Sequence, residues 1–179
     1  MREIEIKASL KDKAAILQRL ADKGVKMSPP IKQHDVVYGI PGAKDNAPDS
    51  VWLRIRTEND KVTIFTLKKQ YKGGLDSIEH ETEVTDAGEL QEIIKHLGYE
   101  LYSDLTKHRQ KGKLGNIEIC LDEIEGLGVF IEAEKMVALD SEGEAVVKEL
   151  WRVFQDLGIS RGDEVLDGYD VLMNQHLKE

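Results

Sequence analysis

Polar and apolar residues alternate one by one along much of this chain. Glu3-Ile4-Glu5-Ile6-Lys7 puts both isoleucines on one face and three charges on the other, the period of a half-buried strand. The rhythm returns in Val51–Thr57, where Leu53 and Ile55 oppose Arg54 and Arg56, and in Glu79–Val84, Asn116–Asp122 and Val129–Lys135. Val62–Leu67 is rich in β-branched and aromatic residues and predicts a further strand.

Three segments switch to helical spacing. Leu10–Lys23 aligns Leu10, Ala14, Leu17, Leu20 and Ala21, and Gly24 follows. Asp86–Leu97 opens on a potential cap and stops before Gly98, while Glu144–Leu157 carries Val147, Leu150, Trp151 and Phe154 ahead of Gly158. Each glycine stands where a left-handed residue closes a helix. A shorter helix is predicted over Gly168–Leu177. Pro41–Asp49, with two prolines, Gly42 and Asn46, predicts a mobile loop. Lys72-Gly73-Gly74 predicts a turn between strands, and Gly126-Leu127-Gly128 a tight hairpin.

Strands mostly follow strands, with helices inserted at intervals, so the pattern predicts an antiparallel α+β fold and not a repeated βαβ unit. With 179 residues and no low-complexity linker, we expect one domain over 1–179. Composition narrows the function. The chain has 34 Asp+Glu against 25 Lys+Arg, a net charge of −9, which speaks against gripping long nucleic acids or an anionic membrane surface. No apolar run is long enough to span a bilayer, and the start lacks a signal-peptide core. A cytoplasmic protein is the expectation. A single cysteine, Cys120, excludes an internal disulfide and is expected to be inert.

The charges are segregated by sign. Arg54 and Arg56 share a face, as do Lys107, Arg109, Lys111 and Lys113; Glu79, Glu81 and Glu83 share another, as do Glu118 and Asp122, and Glu132 and Glu134. For any one strand, a solvated face is the simplest account. Repeated over six strands, the pattern also fits a barrel with a charged lumen, whose outer apolar face (Ile4, Ile6, Leu53, Ile55, Ile117, Ile119, Leu121) packs on amphipathic helices. Grouped Arg and Lys suit phosphate oxygens. Grouped carboxylates suit a hard cation such as Mg²⁺ or Mn²⁺. Both together suit a metal-complexed polyphosphate. No Walker-type loop and no metal-binding histidine pair is present.

The chain also resembles the CYTH superfamily of triphosphate tunnel metalloenzymes. The resemblance rests on Glu3-Ile4-Glu5-Ile6-Lys7, Leu53-Arg54-Ile55-Arg56, Thr66-Leu67-Lys68, Glu81-Thr82-Glu83, Lys107-His108-Arg109, Leu121-Asp122, Gly126–Glu134 and Gly168–Leu172, in that order. It implies an eight-stranded antiparallel β-barrel, the triphosphate tunnel, flanked by helices. It implies that Lys7, Arg54, Arg56, Lys68, Lys107 and Arg109 bind and act on the triphosphate. It implies that Glu3, Glu5, Asp122, Glu132 and Glu134 hold one or two divalent cations, Mg²⁺ or Mn²⁺, with Glu81 and Glu83 assisting. Lys111, Lys113 and Glu118 continue these faces outside the motifs. One departure is that Ser77-Ile78-Glu79-His80 offers no arginine before the middle acidic pair, so that contact is either missing or supplied by Lys69 or Lys72.

The activity so implied is metal-dependent processing of a triphosphate; because hydrolysis demands only water, phosphohydrolysis of inorganic, nucleoside or thiamine triphosphate is the expectation. A class IV adenylate cyclase and a non-catalytic binder of phosphorylated ligands are the alternatives. The expected partner is a small triphosphate; the oligomeric state stays open, and a homodimer is compatible.

Overall fold

The computed structural model describes residues 1–43, 47–73 and 75–176. Its strands are β1 (Arg2–Ser9), β2 (Ile31–Gly39), β3 (Val51–Glu58), β4 (Val62–Gly73), β5 (Asp76–Val84), β6 (Glu100–Leu114), β7 (Ile117–Ile124) and β8 (Gly128–Val137). The helices are α1 (Lys13–Asp22), α2 (Ala87–His96), α3 (Gly143–Asp156) and α4 (Tyr169–His176). The strands close into an antiparallel barrel in the order β1-β5-β4-β3-β2-β6-β7-β8. The expected α+β barrel with flanking helices is therefore present.

The chain divides into two compact units. One comprises Met1–Ile31 and His108–Leu166, the other Lys32–Lys107 and Asp167–Glu179. Each has its own core on the apolar face of its strands. In the first, Ile4, Ile6, Ile117, Ile119, Leu121 and Ile131 pack with Leu20 of α1 and with Leu150, Trp151 and Phe154 of α3. In the second, Val36, Tyr38, Leu53 and Ile55 pack with Ile94 of α2. With one face committed to these cores, period-2 alternation sends the charged residues of the same strands to the opposite face.

Local chemistry sets the helix limits. Asp12 and Asp86 cap α1 and α2, each side chain accepting from a backbone N–H three residues on, at 2.9 Å. Gly158 ends α3 with φ +74°, and a side chain there would collide with the Arg19 guanidinium, which donates to the Leu157 carbonyl.

Two expectations are corrected. The first helix begins at Lys13, so its buried positions are Ile16 and Leu20, while Ala14 and Ala21 are exposed. Strand β2 is absent from the alternation reading because each face changes character midway. Lys32 and His34 precede Val36 and Tyr38 on one side; Gln33 and Asp35 precede Val37 on the other. Positions 44–46 of the Pro41–Asp49 loop, Gly74 of the Lys72–Gly74 turn and Leu177 of the last helix fall outside the described residues.

Candidate functional site

In the first unit, strand register assembles a carboxylate row. Glu5 of β1 and Glu118 of β7 both lie directly opposite Glu134 of β8, and Lys7 and Cys120 both lie opposite Glu132. One ligand oxygen from each of Glu5, Glu132 and Glu134 lies within 4.8 Å of the other two. Three hard oxygen donors at this spacing fit Mg²⁺ or Mn²⁺. Lys7 bridges Glu5 and Glu132 at 3.2 Å each. Like charges directly across strands repel. Burial first, and then the charges of Glu132, Glu3 and Glu5, hold the Glu134 carboxyl well above the usual carboxylate range despite Arg109.

Arg109 is the hub on the other side of this row. Its Nε and Nη2 donate to the two oxygens of Asp122 at 2.7 and 2.5 Å, and Nη2 also donates to Glu132. Its Nη1 lies 3.5 Å from Glu134. Burial opposes its charge, but Glu132 and Asp122 more than offset that and keep the guanidinium protonated. Asp122 is fully buried, with both oxygens on Arg109. A second group of ligand atoms joins Glu118, Cys120 and Glu134. The Cys120 thiol is buried, and burial with the nearby Glu134 and Glu132 charges pushes its pKa far up, against Arg109, so it stays protonated. Lys111 is half exposed and pairs with Glu118 at 2.6 Å.

The second unit pairs bases with acids. Arg56 donates through Nε and Nη2 to both oxygens of Asp35, each at 2.7 Å, and Lys107 Nζ lies 3.8 Å from the same carboxylate. Burial alone would raise the Asp35 pKa; Arg56, and then Lys107 and Arg54, overturn that and hold it below the ordinary range. Glu79 pairs with Lys68 at 2.8 Å and with Arg54 at 3.7 Å. Burial works against its charge, yet Lys68 and Arg54 bring its pKa down to about 2. Glu81 accepts from Arg54 at 3.1 Å and from Thr66 at 2.8 Å. Glu83 is exposed near the end of β5, opposite Ile64, and makes no ion pair among the described residues.

The proposed residues thus fall into two sets. Glu3, Glu5, Lys7, Arg109, Asp122, Glu132 and Glu134 belong to the first unit, with Glu3 adding to the field at Glu134. Arg54, Arg56, Lys68, Lys107, Glu81 and Glu83 belong to the second. Neither Glu81 nor Glu83 joins a metal-ready group among the described residues. Of the two substitutes for the absent arginine, Lys69 faces away from Lys68 and pairs with Asp49 at 2.9 Å; the Lys72 side chain lies outside the described residues. Two partners escape the sequence reading. Glu79 is visible there only as a member of an acidic face, and Asp35 sits in the strand that the alternation does not reveal. The signal for Asp35 was a lone acid two residues from Gln33 and directly before a Val-Val-Tyr run.

Comparisons with known proteins agree with this architecture. The CYTH domain pattern matches residues 1–169. A Methanocaldococcus jannaschii protein named "Putative adenylate cyclase" is 30% identical over 176 residues, covering 94% of this chain and 97% of that protein. The structure of the Pyrococcus horikoshii protein PH1012 superposes with a TM-score of 0.82 at 27% identity, covering 96% of this chain and 99% of that one. A Hippeastrum protein, described as a putative adenylyl cyclase with a dominant triphosphatase activity, shares the fold at 20% identity and a TM-score of 0.58, over 94% of this chain and 91% of its own. With most of its length matched by one domain pattern and by these relatives, the chain belongs to the CYTH domain family.

Proposed function

We propose that this protein is a divalent-metal-dependent phosphohydrolase acting on small triphosphates. The observation that carries this reading is chemical: one unit holds a carboxylate trio suited to a hard cation, and the other holds Arg54 and Lys68 on acids that a phosphate can replace, beside Arg56 and Lys107 on the buried Asp35. Glu5, Glu132 and Glu134 would hold Mg²⁺ or Mn²⁺, which neutralises phosphate charge and makes bound water more acidic.

The chain's own residues do the rest. Arg54 and Lys68 exchange Glu79 and Glu81 for phosphate oxygens, a swap of one anion for another that leaves no buried base uncompensated. Arg56 and Lys107 hold the charge that builds on the departing diphosphate. Water attacks the terminal phosphorus, the phosphoanhydride bond breaks, and orthophosphate and diphosphate leave. The water proton passes to solvent or to an interior carboxylate.

A second reading is an adenylate cyclase, favoured by the name of the 30%-identical M. jannaschii relative. There the ribose 3′ oxygen attacks the α-phosphorus and diphosphate departs. That reaction asks for a base pocket. The tryptophan on the same β3 face as Arg54 and Arg56 is Trp52, and it is buried with its ring 4.6 Å from that of Tyr102, so it is not presented for stacking. Hydrolysis asks only for water. Incubation with Mg²⁺ or Mn²⁺ and tripolyphosphate, thiamine triphosphate or ATP separates the two. Orthophosphate without cyclic AMP supports the hydrolase; cyclic AMP with diphosphate overturns it.

A further inference from the structure

We infer that Asp35 is a positioning residue for the phosphate-binding bases, acting through Arg56 and Lys107. The inference rests on the triphosphate reading above and adds a residue to it. Asp35 is 4% exposed, and its two oxygens take Nε and Nη2 of Arg56 in a parallel, two-bond clasp. A guanidinium is planar and rigid, so fixing one edge fixes the direction of the other. The register explains why the clasp forms: Asp35 lies directly opposite Arg56 on the neighbouring strand, and the outward neighbours Val36 and Ile55 anchor both strands in the core. Lys107, itself 3% exposed, reaches the same carboxylate at 3.8 Å and lies over the Tyr169 ring at 5.1 Å.

Two comparisons within the molecule separate this carboxylate from its neighbours. Glu79 and Glu81 also hold bases, but their side chains are 18% and 48% exposed. An incoming phosphate can take their place on Arg54 and Lys68, whereas Asp35 lies too deep to be displaced and stays bonded when the site fills. The first unit repeats the device: Asp122, fully buried, clasps Nε and Nη2 of Arg109 in the same two-bond manner. A buried ion pair is a poor source of stability, because desolvation consumes most of the attraction. What the clasp provides is a guanidinium aimed before substrate arrives, which spares the ordering cost at binding.

The test measures inorganic tripolyphosphate binding by calorimetry with Mg²⁺, together with kcat/KM for its hydrolysis. Asp35→Asn is expected to weaken binding about tenfold or more, in line with loss of a charge-assisted bidentate pair. Asp35→Glu keeps the charge but shifts the fork by one methylene; its kcat/KM is expected to fall about tenfold. In an Arg56→Gln background, either change at position 35 should cost less than half of what it costs alone, because the larger part of its effect travels through Arg56 and only the remainder through Lys107. Asp35→Glu carries the test if Asp35→Asn does not fold. Folded Asp35→Glu with wild-type kcat/KM, or an equal penalty with and without Arg56, overturns the inference while leaving the triphosphate reading intact. A wild-type protein that neither binds nor cleaves tripolyphosphate overturns that reading and this inference with it.

Discussion

Glu134 in one unit and Glu79 in the other are inward-facing carboxylates on neighbouring-acid strands, yet their acidities move in opposite directions. Glu134 is pushed up by burial and by Glu132, Glu3 and Glu5. Glu79 is drawn down to about 2 because Lys68 and Arg54 outweigh its burial. Burial taxes both in the same sense, so the surrounding charges decide the outcome. The first unit is left with an acidic excess, which a divalent cation would relieve on the proposed reading. In the second, Arg54 and Lys68 sit on Glu79 and Glu81, and on the proposed reading a triphosphate would enter by taking the place of those acids. Two charged faces that look alike in composition therefore differ in their electrostatics.

The sharpest way to break this comparison is to remove the acids of the first unit. Glu132→Gln with Glu134→Gln should lower hydrolysis by about a thousandfold, since a lost metal site forfeits several kcal/mol of charge stabilisation. Initial-rate assays with Mg²⁺ check it, and near-normal turnover would dissolve the proposed metal role. On the second unit, Arg54→Ala should cost about a hundredfold in kcat/KM, the scale of one arginine lost from a clamp on the phosphates. Steady-state kinetics with tripolyphosphate measure this.

A smaller effect concerns stability. The Glu79 carboxyl is depressed from 4.5 to about 2, so its contribution is present above pH 4.5 and is lost as the pH falls towards 2. Melting temperatures across that window should drop less steeply for Glu79→Gln than for the wild type; parallel curves would contradict the pairing with Lys68 and Arg54. The smallest change is expected at Lys111, half exposed and paired with Glu118. Lys111→Ala should alter activity by less than about twofold, because solvent screens such a pair.

What the sequence could reveal follows the same physics. Strands with one apolar and one charged face, such as Glu3–Lys7 and Leu53–Arg56, announce themselves by strict alternation, and so did the outward packing of Ile4, Ile6, Leu53 and Ile55. Helix ends were legible through Asp86, Gly98 and Gly158, where a cap and left-handed backbone are required. Strand β2 was hidden because polar and apolar residues exchange along its length and not across its faces. Asp35 was hidden with it. The pairing of bases with acids was also out of reach, because it depends on cross-strand register: Asp35 meets Arg56, and Glu5 meets Glu134, only once the strands are aligned.

The division of labour is tested most directly by titrating Mn²⁺ into the protein without phosphate and counting bound ion by electron paramagnetic resonance. The account predicts that Glu132→Gln with Glu134→Gln abolishes Mn²⁺ binding, while Arg54→Ala with Lys68→Ala leaves the affinity within about twofold of wild type. Undiminished Mn²⁺ binding in the acid-deleted protein, or its loss in the base-deleted one, would contradict it.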